Sequence, residues 1–269
     1  MNSIGDRAGD VSGSAKRAAA RTGDHPVVEW GARLGYGASG VLHLLLAYLT
    51  AQIALGGGGK EASQSGALET LAEEPLGQVL LWVIAAGFAL LALWQLTELV
   101  TRHEASDKAK AGGKLVLYSA LAWMSFTFAS GGRTSSNKQT KEFTVTLMGA
   151  PAGRVLVGLV GVAIIGIAAY HVDKGWRGRF LQDLQEHPGR WVVIAAKVGY
   201  IGKGIALAAV GILFITAAIH QRAAEATGLD GALRSMRDLP AGTVILLGIA
   251  LGLAAYGVYS FARARYARV

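Results

Sequence analysis

His43 and Lys203 are the two ionisable side chains set well inside hydrophobic stretches of this chain. His43 lies ten residues beyond Arg33, about 15 Å at helical rise. A proton or ion relay uses such a group; a neutral histidine hydrogen-bonded to a neighbouring helix is the alternative. Lys203 follows Lys197 by six residues, so it either snorkels back to the headgroups or serves a site. Glu98, Lys174 and Arg263 each stand 23 residues beyond a proline and form a candidate ring of ion pairs. Other chemistry finds little support. With no cysteine there is no disulfide, thiolate metal site or thiol nucleophile. His171 and His187 lack partners at metal-ligand spacing. His43 has no evident mate for binding a redox cofactor. Gly56–Lys60 lacks the spacing and the Ser/Thr of a phosphate loop. The expectation is therefore no catalytic residue, no metal and no cofactor.

The elements that carry these groups repeat. Tyr36, Tyr118 and Tyr200 are spaced by 82 residues, twice, and each opens a hydrophobic segment. Pro75-Leu76-Gly77, Pro151-Ala152-Gly153 and Pro240-Ala241-Gly242 open the next segment in each copy. An aromatic follows each proline by nineteen positions: Trp94, Tyr170 and Tyr259. That is about 28 Å of helix, one hydrocarbon thickness. All six aromatics are thus expected in the interfacial belt, rings among the headgroups and polar tips wet. Self-similarity at this period predicts three copies of one two-helix unit.

Composition points to a membrane. Hydrophobic residues make up 52% of the 269 and charged residues 16%, against about 25% charged in a soluble domain. The apolar residues gather into six runs near 32–55, 76–98, 114–130, 152–172, 192–219 and 241–261. The third is short and carries Ser119, Ser125 and Thr127. The prediction is an all-α polytopic protein with six transmembrane helices in three parallel helical-hairpin repeats about a pseudo-threefold axis. Its units are a disordered cytoplasmic tail over 1–26, repeats over 27–104, 105–180 and 181–269, the last ending in a short basic tail. Between the helices of the first and third copies, Leu68, Leu71 and Ala72, then Leu233 and Met236, predict short amphipathic helices on the outer surface, with Asp230 as an N-cap. The prolines then enter the first turn of the returning helices. Gly248 and Gly252 form a GxxxG packing pair.

Orientation follows from Lys and Arg. With both termini in the cytoplasm, that side carries seventeen and the other eight, Lys203 left aside. The net charge of +8 is mostly this topology signal, and no basic, base-stacking face for nucleic acid is visible.

Ala32-Arg33-Leu34-Gly35-Tyr36…Gly40-Val41, with Gly66-Ala67-Leu68…Leu71…Pro75-Leu76-Gly77, resembles a bacterial membrane family known as domain of unknown function 1206. Lys197-Val198-Gly199-Tyr200…Gly204-Ile205 and Gly231-Ala232-Leu233…Pro240-Ala241-Gly242 fit the same pattern, and the resemblance spans residues 32 to 262. It implies a threefold-repeated, six-helix protein of the bacterial inner membrane and carries no activity with it. The expected function is a noncatalytic structural or accessory component, partnered by the lipid bilayer and by other membrane proteins. The alternative is a small transporter or channel with its pathway along the pseudo-threefold axis near His43 and Lys203.

Overall fold

In the computed structural model, residues 26–57, 59–101 and 104–267 are described, with side chains from Trp30 onward. The tail expected over 1–26 lies outside them but for Pro26. Six long helices carry the fold: α1 (Pro26–Ala54), α3 (Gly77–Thr101), α4 (Ala105–Ala129), α6 (Gly153–Trp176), α7 (Arg190–His220) and α9 (Gly242–Tyr266). Three shorter ones sit in the connections: α2 (Gln64–Ala72), α5 (Ser136–Met148) and α8 (Leu229–Arg237). The described residues form no strand. Five of the long helices are long and apolar enough to cross a membrane; α4, with its polar first turns, is not among them.

The long helices pack in the order α4, α3, α1, α9, α7, α6, and α4 and α6 form no comparable packed pair with each other. Glycines set the close crossings. A Cβ on Gly202 of α7 would come within 2.7 Å of the Cα of Gly252 on α9. One on Gly87 of α3 would come within 3.0 Å of the backbone nitrogen of Gly35 on α1. Small residues let backbones approach closely enough for dispersion to hold helices together. Gly248, expected to pair with Gly252, instead points into open space.

The Pro-x-Gly marks turn out to be tight turns. Gly77, Gly153 and Gly242 donate to the carbonyls of Glu74, Ala150 and Leu239, each at 2.8 Å. Each proline therefore takes the second position of a four-residue turn, where its fixed φ is favoured, and not the first helical turn. Ala152 and Ala241 sit in the left-handed region at φ 57° and 60°. A Cβ on any of the three glycines would overlap the carbonyl oxygen of Leu71, Leu147 or Met236, six residues back. Only glycine fits there, which is why the mark recurs.

The end where α1 starts and α9 stops is called basal here; the other is distal. At the distal end, α2 and α8 pack their apolar sides onto the bundle, α8 leaving Arg234, Ser235 and Arg237 exposed. Leu68 and Leu233 are fully buried in the same core cluster as Leu46, Leu49 and Ile53 of α1. Asp230 is not an N-cap; Gly228 holds that position. Its buried carboxylate accepts hydrogen bonds from Ala62 N at 2.8 Å, Asn137 Nδ2 at 2.9 Å and Arg234 Nε at 2.9 Å. The Glu61 carboxylate likewise accepts from Ser63, Ser65 and Ser135. These two acids tie the outer connections of all three repeats together. The outward faces of the long helices stay apolar, with Val79, Trp123, Val162 and Leu251 well exposed.

Candidate functional site

The inner face of the bundle gathers the polar groups that sequence left scattered. Nδ1 of His43 is 2.7 Å from the carbonyl oxygen of Ser39, one turn back on α1. A carbonyl only accepts, so Nδ1 carries the proton and Nε2 is left as an acceptor. Lys203 Nζ on α7 lies 3.3 Å from that Nε2 and donates to it. The same ammonium stands 4.3 Å from the ring centroid of Tyr256 on α9, in cation–π contact. The imidazole also packs on Tyr256 with centroids 4.6 Å apart. Three helices thus hold one charge between a neutral imidazole and a ring face.

Further toward the basal end, Arg263 of α9 lies 4.1 Å over the ring of Tyr36. Its Nε is shielded from solvent and has no hydrogen-bond partner. Lys114 on α4 is within electrostatic range of Arg263 and Lys174 and of the carboxylates of Asp183 and Glu98. The Lys174 ammonium of α6 pairs with Asp183 at 2.6 Å. Asp183 is carried by a 3-10 turn, Arg179–Asp183, whose Phe180 is buried against Tyr200 and Tyr259. The chain beyond it is fixed to the end of α9, since Gln185 N donates to the Tyr266 carbonyl at 2.8 Å. Among the described residues, neither Lys203 nor Arg263 meets a carboxylate.

The interfacial belt is corrected by this geometry. Tyr36, Tyr200 and Tyr259 are 6%, 3% and 0% exposed, and Tyr118 packs inward on Phe88 with centroids 6.1 Å apart. Tyr36 and Tyr200 line an interior because the adjacent Gly35 and Gly199 bring α1 onto α3 and α7 onto α9. Trp94 is half-buried against the core, while Tyr170 is 49% exposed. Of the predicted ring of Glu98, Lys174 and Arg263, the Lys174 member is engaged outside the ring. Lys174 takes Asp183 instead, a shorter reach along its own connection.

Two contributors escaped the sequence reading. Tyr256 precedes Tyr259 by three positions, a same-face spacing that could have marked it. His171, treated as isolated, packs on Tyr200 with centroids 5.8 Å apart. Its only signal was adjacency to Tyr170. The described residues include no group of acidic or histidine side chains able to hold a metal.

Distal to this cluster, α1 buries Leu46, Leu49, Thr50 and Ile53, so the route toward α2 and α8 is packed shut. What the arrangement can do chemically is hold negative charge. Two cations at depth, faced by tyrosines and histidines, offer hydrogen-bond donors and positive potential to an anion.

A family model described as Domain of Unknown Function (DUF1206) matches residues 34–102, 109–178 and 198–267. The chain is 29% identical over 248 residues to the uncharacterized protein YxxB of Bacillus subtilis (strain 168), covering 87% of this chain and 89% of that one. No solved structure matches.

Proposed function

We propose that this chain, which belongs to the DUF1206 family, is an integral inner-membrane protein that binds a small anion within its helix bundle. In this reading six helices cross the membrane as three parallel hairpins about a pseudo-threefold axis, with both termini cytoplasmic. Packing between successive repeats, α3 on α4, α6 on α7 and α9 on α1, supports the circular order, although the second hairpin, α4 and α6, is not packed on itself as the first and third are. The excess of Lys and Arg in the tails and connections assigned to the cytoplasm supports the orientation. The apolar outward faces support membrane insertion, since water would penalise them.

The observation that carries the binding role is Lys203 held, among the described residues, by His43 and Tyr256 and by no carboxylate, with Arg263 Nε on the same side of the bundle also without a hydrogen-bond partner. Buried charge without a counter-charge is costly, and in membrane segments it marks ligand pathways. An anion entering from the basal side supplies the missing charge. The accessory role expected from sparse intramembrane charge gives way here, because that charge is concentrated rather than merely sparse. We assign the chain no catalysis, and the bilayer remains its immediate partner.

The test is thermal unfolding of the purified protein in detergent against chloride, inorganic phosphate, acetate and benzoate. At least one raises the melting temperature of the native chain in a concentration-dependent way, and Lys203→Met abolishes that response. A response equal in native and Lys203→Met protein, or none to any of the four, would return the protein to the accessory reading.

A further inference from the structure

An apolar groove of about 620 Å³ runs along the outward side of α1, walled by α3 and α9. Gly37 and Ala38 form its floor, with Leu34, Val41, Val83 and Phe261 on its sides. Arg33, Arg265 and Trp30 stand at its basal mouth. From Trp30 to Val41 is eleven residues, about 16 Å at helical rise, which is half of a hydrocarbon core of about 30 Å. The groove therefore has the depth of one leaflet. Its mouth holds what a headgroup region holds, two guanidinium groups and an indole 68% exposed. Arg33 is fixed in place by donating to the Ala264 and Arg265 carbonyls at the end of α9. Guanidinium is the side chain best shaped to take phosphate oxygens in pairs.

We propose that this groove is a binding site for one anionic phospholipid of the basal leaflet, an acyl chain lying along Gly37 and the phosphate between Arg33 and Arg265. The length of the groove selects a lipid chain, and the charge at its mouth selects an anionic head. The inference rests on membrane insertion but not on anion binding inside the bundle.

Gly37 provides the decisive variant. A Cβ added there meets nothing within 4 Å, and Gly37 lines the groove, so the side chain of Gly37→Leu starts into open space on the groove side. Gly248 on α9 is equally open and lies outside the groove, so Gly248→Leu is a matched control. The full chain is reconstituted with phosphatidylglycerol and phosphatidylcholine in equal amounts, stripped with mild detergent, and the retained lipid read by native mass spectrometry. Native protein and Gly248→Leu retain one phosphatidylglycerol. Gly37→Leu loses it at least tenfold, and Arg265→Gln retains the two lipids without preference. Equal phosphatidylglycerol retention by Gly37→Leu and Gly248→Leu overturns the site, as does equal retention of both lipids by the native chain. A dimer present in native protein, free of lipid and abolished by Gly37→Leu, would assign the groove to a second copy and also overturn it.

Discussion

Lys203 on α7 donates a hydrogen bond to Nε2 of His43 on α1 at 3.3 Å, although 160 positions of sequence separate them. The bond fixes the histidine as a neutral acceptor, since its Nδ1 proton is already given to Ser39. The ammonium is thereby held in place without being neutralised.

That arrangement predicts opposite signs for its two partners. Lys203→Met replaces an uncompensated charge with an apolar chain of similar length. It raises unfolding stability in anion-free detergent by about 1 kcal/mol, the low end of what replacing buried ionic groups with apolar chains gives, because the ammonium is only part-buried. His43→Leu leaves the ammonium only a ring face and lowers stability by about 1–3 kcal/mol. Parallel thermal melts of the two variants check the signs. Destabilisation by Lys203→Met would mean that its charge is compensated by groups of the chain.

Asp230 is the distal counterpart, a carboxylate shared by three repeats. Asp230→Ala strands the Ala62 amide and the Asn137 side chain, costing about 2–3 kcal/mol. Arg234 adds little to that cost because its side chain is 42% exposed. The cysteine-free background gives a local readout. Ser63, fully buried in the native chain, becomes reactive as Ser63→Cys once Asp230 is removed. Unchanged protection of that thiol would show that apolar packing alone holds the distal end.

Two glycines on helices that meet predict a sharp contrast. Gly202→Ala forces its Cβ against the Gly252 backbone at 2.7 Å, so α7 and α9 must separate, at about 1–3 kcal/mol. Gly248→Ala meets nothing and gains up to about 1 kcal/mol of helix propensity. Melting temperatures measured side by side would order the variants Gly248→Ala, native, Gly202→Ala from highest to lowest.

Topology can be read with a membrane-impermeant thiol reagent. In cells, Gly59→Cys at the distal end labels from outside, and Ser106→Cys labels only after the membrane is opened. His43→Cys labels from the basal side, because the distal side of α1 is packed with Leu46, Leu49 and Ile53. Labelling of Ser106→Cys in intact cells would reverse the orientation, and labelling of His43→Cys from the distal side would contradict the sealed distal end.

The helices and their repetition are specified by local features of the chain alone. Runs of apolar residues at membrane length, the recurring Tyr and the Pro-x-Gly mark are local signals, read without knowing any neighbour. Even the distal helices α2 and α8 were legible from Leu68, Leu71 and Leu233 at helical spacing. Which way each aromatic turns is set by contacts between helices. Tyr36 near the start of its hydrophobic run is consistent with a wet interface and with a dry interior alike, and the choice depends on how closely α1 meets α9. The same holds for the ionisable groups. The pairing of Lys203 with His43, of Lys174 with Asp183, and the isolation of Arg263 Nε depend on distances between helices far apart in the chain. Periodicity places a residue on its own helix. Where two helices cross is set by the packing of both, and one sequence segment carries only half of that information.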